Sequence, residues 1–239
     1  MNRLLIIFSA VILVTAPVQA RIDDPAYHHL DEVYQRIFAL QDSFPQYIRV
    51  DSIGCSQQEK LPIYAVWIAD DITNYNANNP AVVFNGAVHA EEVLGVEFCL
   101  WLMDRMVGSE GRNWRRKVNT YIIPTSNPEG LNVVYSLDYT YRKNKRDNIG
   151  DGAFRFRWAW GGDTSGVDIN RNFPTYWIHG DKFLTGVGNE LYDYYRGPAP
   201  ASESETRALI AFFDQVKPLY AMTLHSSRTG NYAEKVIYP

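Results

Sequence analysis

The chain has 239 residues, 23 Lys and Arg against 27 Asp and Glu, a formal net charge of −4, and is 46% hydrophobic and 21% charged. This is ordinary globular material, long enough for one sizeable core or two small ones, and the charge gives no reason to expect a nucleic-acid partner. Its two cysteines, Cys55 and Cys99, do not stand at Cys-x-x-Cys spacing, which excludes a structural zinc knuckle; two free thiols are preferred to a disulfide.

The first twenty residues read as a cleavable signal peptide. Arg3 supplies a positive start, Leu4 to Val14 is nearly all apolar, and Val18-Gln19-Ala20 ends on a small residue suited to cleavage. The apolar run is short for a membrane span. The expectation is an exported protein, secreted or periplasmic, without stable membrane insertion after cleavage, whose residues 21–239 form one domain.

Leu30 to Phe44 reads as a helix with Leu30, Val33, Tyr34, Ile37, Phe38 and Gln41 on one face. Tyr47 to Ile53 and Ile63 to Ile68 read as strands, and Ala81 to Val88 as a strand buried on both faces. Glu91 to Met106 is a predicted helix whose acidic first residues suit the positive end of its dipole. Val118 to Pro124 is a further apolar strand, closed by Asn127-Pro128-Glu129-Gly130 read as a turn. After a glycine-rich irregular stretch from Asp147 to Gly166, a helix runs from Ser202 to Val216 with Glu205 as capping-box partner. Pro218 to Leu224 is a strand ending at His225. The alternation predicts an α/β fold, a mixed, mostly parallel twisted sheet with helices on both faces. In such sheets ligands sit beyond the carboxyl ends of strands, and His89 and His225 each follow one.

His89-Ala90-Glu91-Glu92, read with His225, offers two imidazoles and a carboxylate. That donor set suits a catalytic zinc with its fourth position open to water, and it points to metal-assisted hydrolysis. In Gly166-Val167-Asp168-Ile169-Asn170-Arg171-Asn172-Phe173, Arg171 can fork onto a carboxylate and Asn170 adds an amide, so the pair could grip a peptide's free C-terminus. The bland alternative pairs Arg171 with Asp168 or another acid. Tyr141-Arg142-Lys143-Asn144-Lys145-Arg146 would ordinarily be a solvated basic face, yet one inward Arg beside a metal could hold an oxyanion.

These blocks, with Asn127-Pro128-Glu129-Gly130, Leu224-His225-Ser226 and Tyr195-Arg196-Gly197-Pro198 leading to Glu205-Thr206-Arg207, stand in the order of the zinc metallocarboxypeptidase family, the carboxypeptidase A/B-like peptidases, which the chain resembles from about Tyr27 to Pro239. The resemblance implies the fold of that family and a single zinc ion held by His89, Glu92 and His225. It also implies peptide or protein C-termini as substrate, held by Asn170 and Arg171, and Arg142 in the place of the carbonyl-polarising arginine. Carboxypeptidase A is itself a standard example of a two-histidine, one-glutamate zinc site.

Two departures stand out. Animal digestive members often read His-Ala-Arg-Glu where this chain has His89-Ala90-Glu91-Glu92, and Glu91 is read as favouring basic groups in the substrate. The family's domain also continues past the Ile237-Tyr238-Pro239 strand, so the resemblance implies a C-terminally incomplete domain. The specificity-pocket wall, a mobile Tyr and the general-base Glu would lie in the rest, leaving a sheet edge and apolar surface uncovered. Glu129, Glu190 and Glu234 are the remaining nominal bases. The competing readings are a zinc-dependent binder of peptide C-termini that cleaves poorly, and a hydrolase of bacterial cell-wall peptides.

Overall fold

The computed structural model describes residues 25–137, 139–155, 164–177 and 188–226. The predicted signal peptide, Glu234 and the strand predicted at Ile237-Tyr238-Pro239 lie outside them. Within them, five strands form one mixed sheet in the order β1-β2-β4-β3-β5. These are β1 (Ile48–Cys55), β2 (Pro62–Ile68), β3 (Ala81–Asn85), β4 (Asn119–Ile123) and β5 (Tyr220–Thr223). β2 lies antiparallel between β1 and β4, whereas β3 runs parallel to both β4 and β5. The parallel half carries the functional site.

Strand periodicity sorts the core onto two faces. Ile63 and Ala65 of β2, Val83 of β3 and Ile123 of β4 pack with Leu209 and Phe212 of α5 (Ser204–Val216). Their sequence neighbours Val66, Ile68 and Ile122 point the other way. That face meets α1 (Leu30–Ser43), α2 (Leu94–Val107) and α4 (Pro128–Ser136), while α3 (Arg112–Arg115) follows α2 as a single turn. Helices therefore cover both faces, as the apolar strands predict. In α1 the buried stripe is Leu30, Val33, Ile37 and Leu40. Phe38 is left exposed on the edge of Tyr64, and Gln41 instead accepts from the Val50 amide. Cys55 and Cys99 are both free thiols.

Three predicted boundaries are corrected, each for a reason that bears on the site. The helix expected from Glu91 begins at Leu94, because residues 89–96 turn through i+3 to i bonds: Glu92 N to His89 O, Gly95 N to Glu92 O and Val96 N to Val93 O. Glu92 is thus freed from the helix. Asn127-Pro128-Glu129-Gly130 is not a turn but the start of α4, with Asn127 capping the Gly130 amide and Pro128 in the first helical turn, where its missing N–H costs nothing. At α5 the predicted Ser202–Glu205 capping box does not form. Glu203 is the N-cap, and the Ser202 hydroxyl donates to its carboxylate.

β5 is the outer strand of the described sheet. Its Tyr220, Leu219 just before it, and Leu94 and Trp101 of α2 are exposed.

Candidate metal centre

Two adjacent parallel strands build the site. Asn85 at the end of β3 pairs with Thr223 at the end of β5, and the Leu224 amide continues the ladder to the Asn85 carbonyl. The chain leaving β3 must pass close under β4, and only Gly86 permits it. A Cβ there would stand 2.4 Å from the Pro124 carbonyl oxygen. His89 and His225, 136 residues apart, consequently face one another with their Nδ1 atoms 3.1 Å apart.

Glu92 closes the group. Its Oε1 lies 3.0 Å from His89 Nδ1 and its Oε2 2.7 Å from His225 Nδ1. The three residues offer ligand atoms that all lie within 4.8 Å of one another. Donors on a tetrahedral zinc at about 2.1 Å stand about 3.4 Å apart, so a shift of a few tenths of an ångström seats the ion. Two imidazole nitrogens and a carboxylate are also the donor chemistry zinc takes. Burial alone would raise the Glu92 pKa, but hydrogen bonds from His225 and His89 outweigh it and hold the carboxyl at about 2. Glu92 is therefore ionised at neutral pH.

Asp168 is the residue that sequence reading passed over as a mere partner for Arg171. It is fully buried between His89 and Arg142, with Oδ1 3.3 Å from His89 Nε2 and Oδ2 accepting from Arg142 Nε at 2.8 Å. Asp168 and Arg142 Nη2, the latter 2.6 Å away, thus hold the Nε2 edge of the ring while its Nδ1 faces Glu92 and His225, the second-partner arrangement typical of metal-ligating histidines. Burial would depress the His89 pKa, but Asp168 and Glu92 overcome it and the net shift is upward. Its signal in the sequence was an acid two residues before an Asn-Arg pair, with Asp168 capping the Asn170 amide of a short 3-10 turn, Ile169–Arg171.

Arg142 is buried, not part of a solvated basic face. Its Nη2 lies 2.6 Å from His89 Nε2, and its Nη1 lies 3.4 Å from Glu91 and 3.7 Å from Glu92. Burial works against its charge, but Asp168 and Glu91 more than compensate and raise its pKa, so it remains a cation. Lys143 and Asn144 are also fully buried. Asn127 donates to the carbonyl of Lys143 and the Ala90 amide to that of Arg142, which fixes this segment to the His89 turn. The contact with Glu91 corrects the specificity reading, since a side chain only 3% exposed and turned onto Arg142 is not presented to substrate.

Asn170 and Arg171 follow Asp168 directly and line a small cavity of about 90 Å³ with Phe173, Trp177 and Arg196. Among the described residues Arg171 makes no ion pair. Its Nη1 donates to the Asn170 carbonyl at 3.3 Å and its guanidinium lies 5.7 Å from the Tyr194 ring. The alternative pairing with Asp168 is thus taken by Arg142. Tyr194, unremarked in the sequence, also lies 4.7 Å from the Arg142 guanidinium and so forms an aromatic platform between the two arginines.

Three buried acids support the segment from behind. Glu129 accepts from the backbone amides of Gln58, Glu59 and Lys145, which removes it as a base. Glu203 and Glu205 both accept from the Asn144 amide, at 2.9 and 3.3 Å, and Asn144 in turn accepts from the Val167 amide just before Asp168. Burial, with the charges of Glu129 and Glu203 added, pushes Glu205 up from 4.5 to about 8. A raised carboxyl favours folding fully below about pH 4.5 and progressively less as pH rises to about 8. Glu205→Gln should therefore gain Tm relative to the parent between about pH 5 and about pH 8. A difference that stays flat with pH in a thermal melt series would refute this.

The sequence pattern of the zinc carboxypeptidase family matches residues 33–237. Carboxypeptidase B2 of Bos taurus is 26% identical over 220 residues, covering 89% of this chain and 47% of that protein. Mast cell carboxypeptidase A of Homo sapiens is 26% identical over 222 residues, with the same two coverages, 89% and 47%. The chain thus spans about half the length of these curated relatives. Among solved structures, bovine thrombin-activatable fibrinolysis inhibitor in complex with tick carboxypeptidase inhibitor superposes with a TM-score of 0.71 at 25% identity, over 89% of this chain and 63% of that one. Carboxypeptidase A from Helicoverpa armigera gives 0.68 at 22% identity, over 84% and 46%, and shows the shared fold. A match that runs through nearly the whole described sheet and both histidine-bearing strand ends makes this chain a member of the zinc carboxypeptidase family.

Proposed function

We propose that residues 21–239 belong to the catalytic domain of an exported zinc carboxypeptidase, which hydrolyses the C-terminal peptide bond of peptides or proteins. The observation that carries this reading is the convergence of His89, Glu92 and His225 against Arg142, with Asn170 and Arg171 one short turn beyond Asp168. His89, Glu92 and His225 would hold one Zn2+. When bound, that ion supplies a water acidified to near neutral pKa and polarises the scissile carbonyl. The chain's own residues orient the ligand set and the substrate. Asp168 holds the His89 ring in place, Arg142 presents guanidinium donors to the developing oxyanion, and Arg171 with Asn170 fixes the terminal carboxylate. The signal peptide read over residues 1–20 gives a secreted or periplasmic setting; no helix among the described residues is long and apolar enough to cross a membrane.

The test compares free and C-terminally amidated peptides, with and without a zinc chelator. Hydrolysis should require the free carboxylate, vanish on chelation and return with added zinc. Arg171→Lys keeps the charge but loses the fork, which should cost about 1.5–3 kcal/mol, roughly a ten- to hundredfold fall in kcat/KM. Amidated peptides cut as fast as free ones would reject the role given to Arg171.

A second reading has a specific observation behind it. Each carboxylate at the described site is already committed: Glu92 faces the two histidines, while Glu91 and Asp168 face Arg142. A chain with no other base would capture peptide C-termini on zinc without turning them over. Zinc-dependent peptide binding with no hydrolysis by the 239-residue chain would select this reading.

A further inference from the structure

The opposite end of the sheet carries a second cavity. It measures about 610 Å³ and is walled by Tyr47, Asp70, Ser109, Arg112, Arg115 and Arg116, together with the end of α2 at Val107 and Gly108. Its size is that of a small-molecule site, but its wall is not apolar like most such sites. It holds three guanidinium groups against the one carboxylate of Asp70.

The three arginines differ in a way that matters. Arg115 is buried and fixed. Its Nη1 donates to the carbonyls of Met106 and Gly108, and its guanidinium lies 4.1 Å from the Tyr47 ring. Its Nε finds no hydrogen-bond partner among the described residues. Arg112 and Arg116 are exposed, and among the described residues neither side chain makes an ion pair or hydrogen bond. Acids close in sequence are already engaged, since Glu110 holds Arg105 at 2.7 Å and Asp104 holds Arg36 at 2.6 Å. An adjoining cavity of about 190 Å³ shares Asp70, Arg115 and Arg116 and adds the amides of Asn74, Asn76, Asn79 and Asn119 together with Asp71, whose carboxylate accepts from the Thr73 amide and hydroxyl. One immobile cation and two forks without a partner among the described residues outnumber the carboxylates of Asp70 and Asp71 and suit an oxyanion carried on a polar molecule.

We propose that this cavity binds a tetrahedral oxyanion, the phosphate or sulfate group of a polar ligand, with Arg115 as the fixed cation and Arg112 and Arg116 as the arms that close on it. The site is independent of the metal centre. It lies where β4 begins at Asn119, next to the start of β3 at Ala81, whereas His89 follows the other end of β3, about 17 Å of strand away. Nothing in the proposal depends on peptide hydrolysis, and its failure would leave the carboxypeptidase reading untouched.

The test is calorimetric titration of the full chain with inorganic phosphate and, separately, inorganic sulfate, with ionic strength held constant by chloride. Saturable binding at about 1 mM or tighter is expected for at least one of them, and the preferred anion identifies the kind of ester. Arg112→Ala combined with Arg116→Ala should weaken it at least tenfold. Arg36→Ala combined with Arg49→Ala, which removes the same charge outside the cavity, should leave it unchanged. All four side chains are exposed enough for the variants to fold, and matching Tm values without anion would verify that. The proposal is overturned by absence of saturable heat with either anion, by undiminished binding in the Arg112/Arg116 variant, or by equal losses in both double variants.

Discussion

Glu92→Gln is expected to abolish stoichiometric zinc binding. The residue supplies the only ionised donor of the trio, and its two oxygens bridge both imidazoles at 3.0 and 2.7 Å. The amide is neutral and must turn one NH2 toward a histidine nitrogen that the metal needs free. Loss of a mere supporting partner of a zinc ligand costs ten- to a hundredfold in affinity, so loss of this ligand should exceed about a hundredfold. Competition with a chromophoric chelator reads this directly. Affinity should also fall with acid, because zinc needs the His89 lone pair and the His89 pKa is shifted upward by Asp168 and Glu92 against its burial. As pH falls through that raised value, protons displace the metal. Retention of one tight equivalent by Glu92→Gln would show that the three side chains meet for another reason.

Asp168→Ala should produce the largest loss of stability. It leaves Arg142, only 8% exposed at its side chain, without the carboxylate 2.8 Å from its Nε. Breaking a buried pair from one side costs about 3–5 kcal/mol, because the remaining charge is buried without its partner. The pH dependence has a definite sign. Burial would raise the Asp168 pKa, but Arg142 and His89 outweigh it and hold it well below 3.8. The pair therefore stabilises the fold at every pH above 3.8, and this is lost as pH falls from there through the lowered value. Urea denaturation at neutral pH measures the loss, and an acid titration should show the variant's stability less sensitive to pH in that range. Zinc affinity should drop as well, by about ten- to a hundredfold, since His89 loses a group that orients its ring. A neutral-pH change below about 1 kcal/mol would mean that Glu91 and Glu92 suffice to hold Arg142.

Much of the fold was legible because it rests on local signals. The apolar runs at Ile63 to Ile68, Ala81 to Asn85 and Asn119 to Ile123 can be little else than buried strands, and their alternation with amphipathic segments dictates helices on both faces. Boundaries near the site were the places where local rules misled. Glu91 and Glu92 resemble the acidic first turn of a helix, yet both carboxylates have partners far along the chain and the helix waits until Leu94. Ser202 and Glu205 resemble a capping box, yet Glu205 is drawn inward to Gln57 and Asn144. In each case a buried long-range ion pair or hydrogen bond outweighs a helix-end preference of about 1 kcal/mol.

The residue types at His89, Glu92, His225, Asn170 and Arg171 are written in the sequence, and their order along the chain suffices to suggest the family. Their meeting is not. It depends on the parallel pairing of β3 with β5, which places the ends of two distant strands side by side. Only that packing turns Arg142 inward out of a basic run, gives Asp168 to His89 and Arg142, leaves Arg171 without an ion pair among the described residues, and gathers Arg112, Arg115 and Arg116 around a cavity at the far end of the sheet. Residue type is a property of each position, but a charge's partner and its exposure belong to the packed chain. Burial makes an unpaired charge costly, and so the tertiary structure decides which of many charged residues become a site.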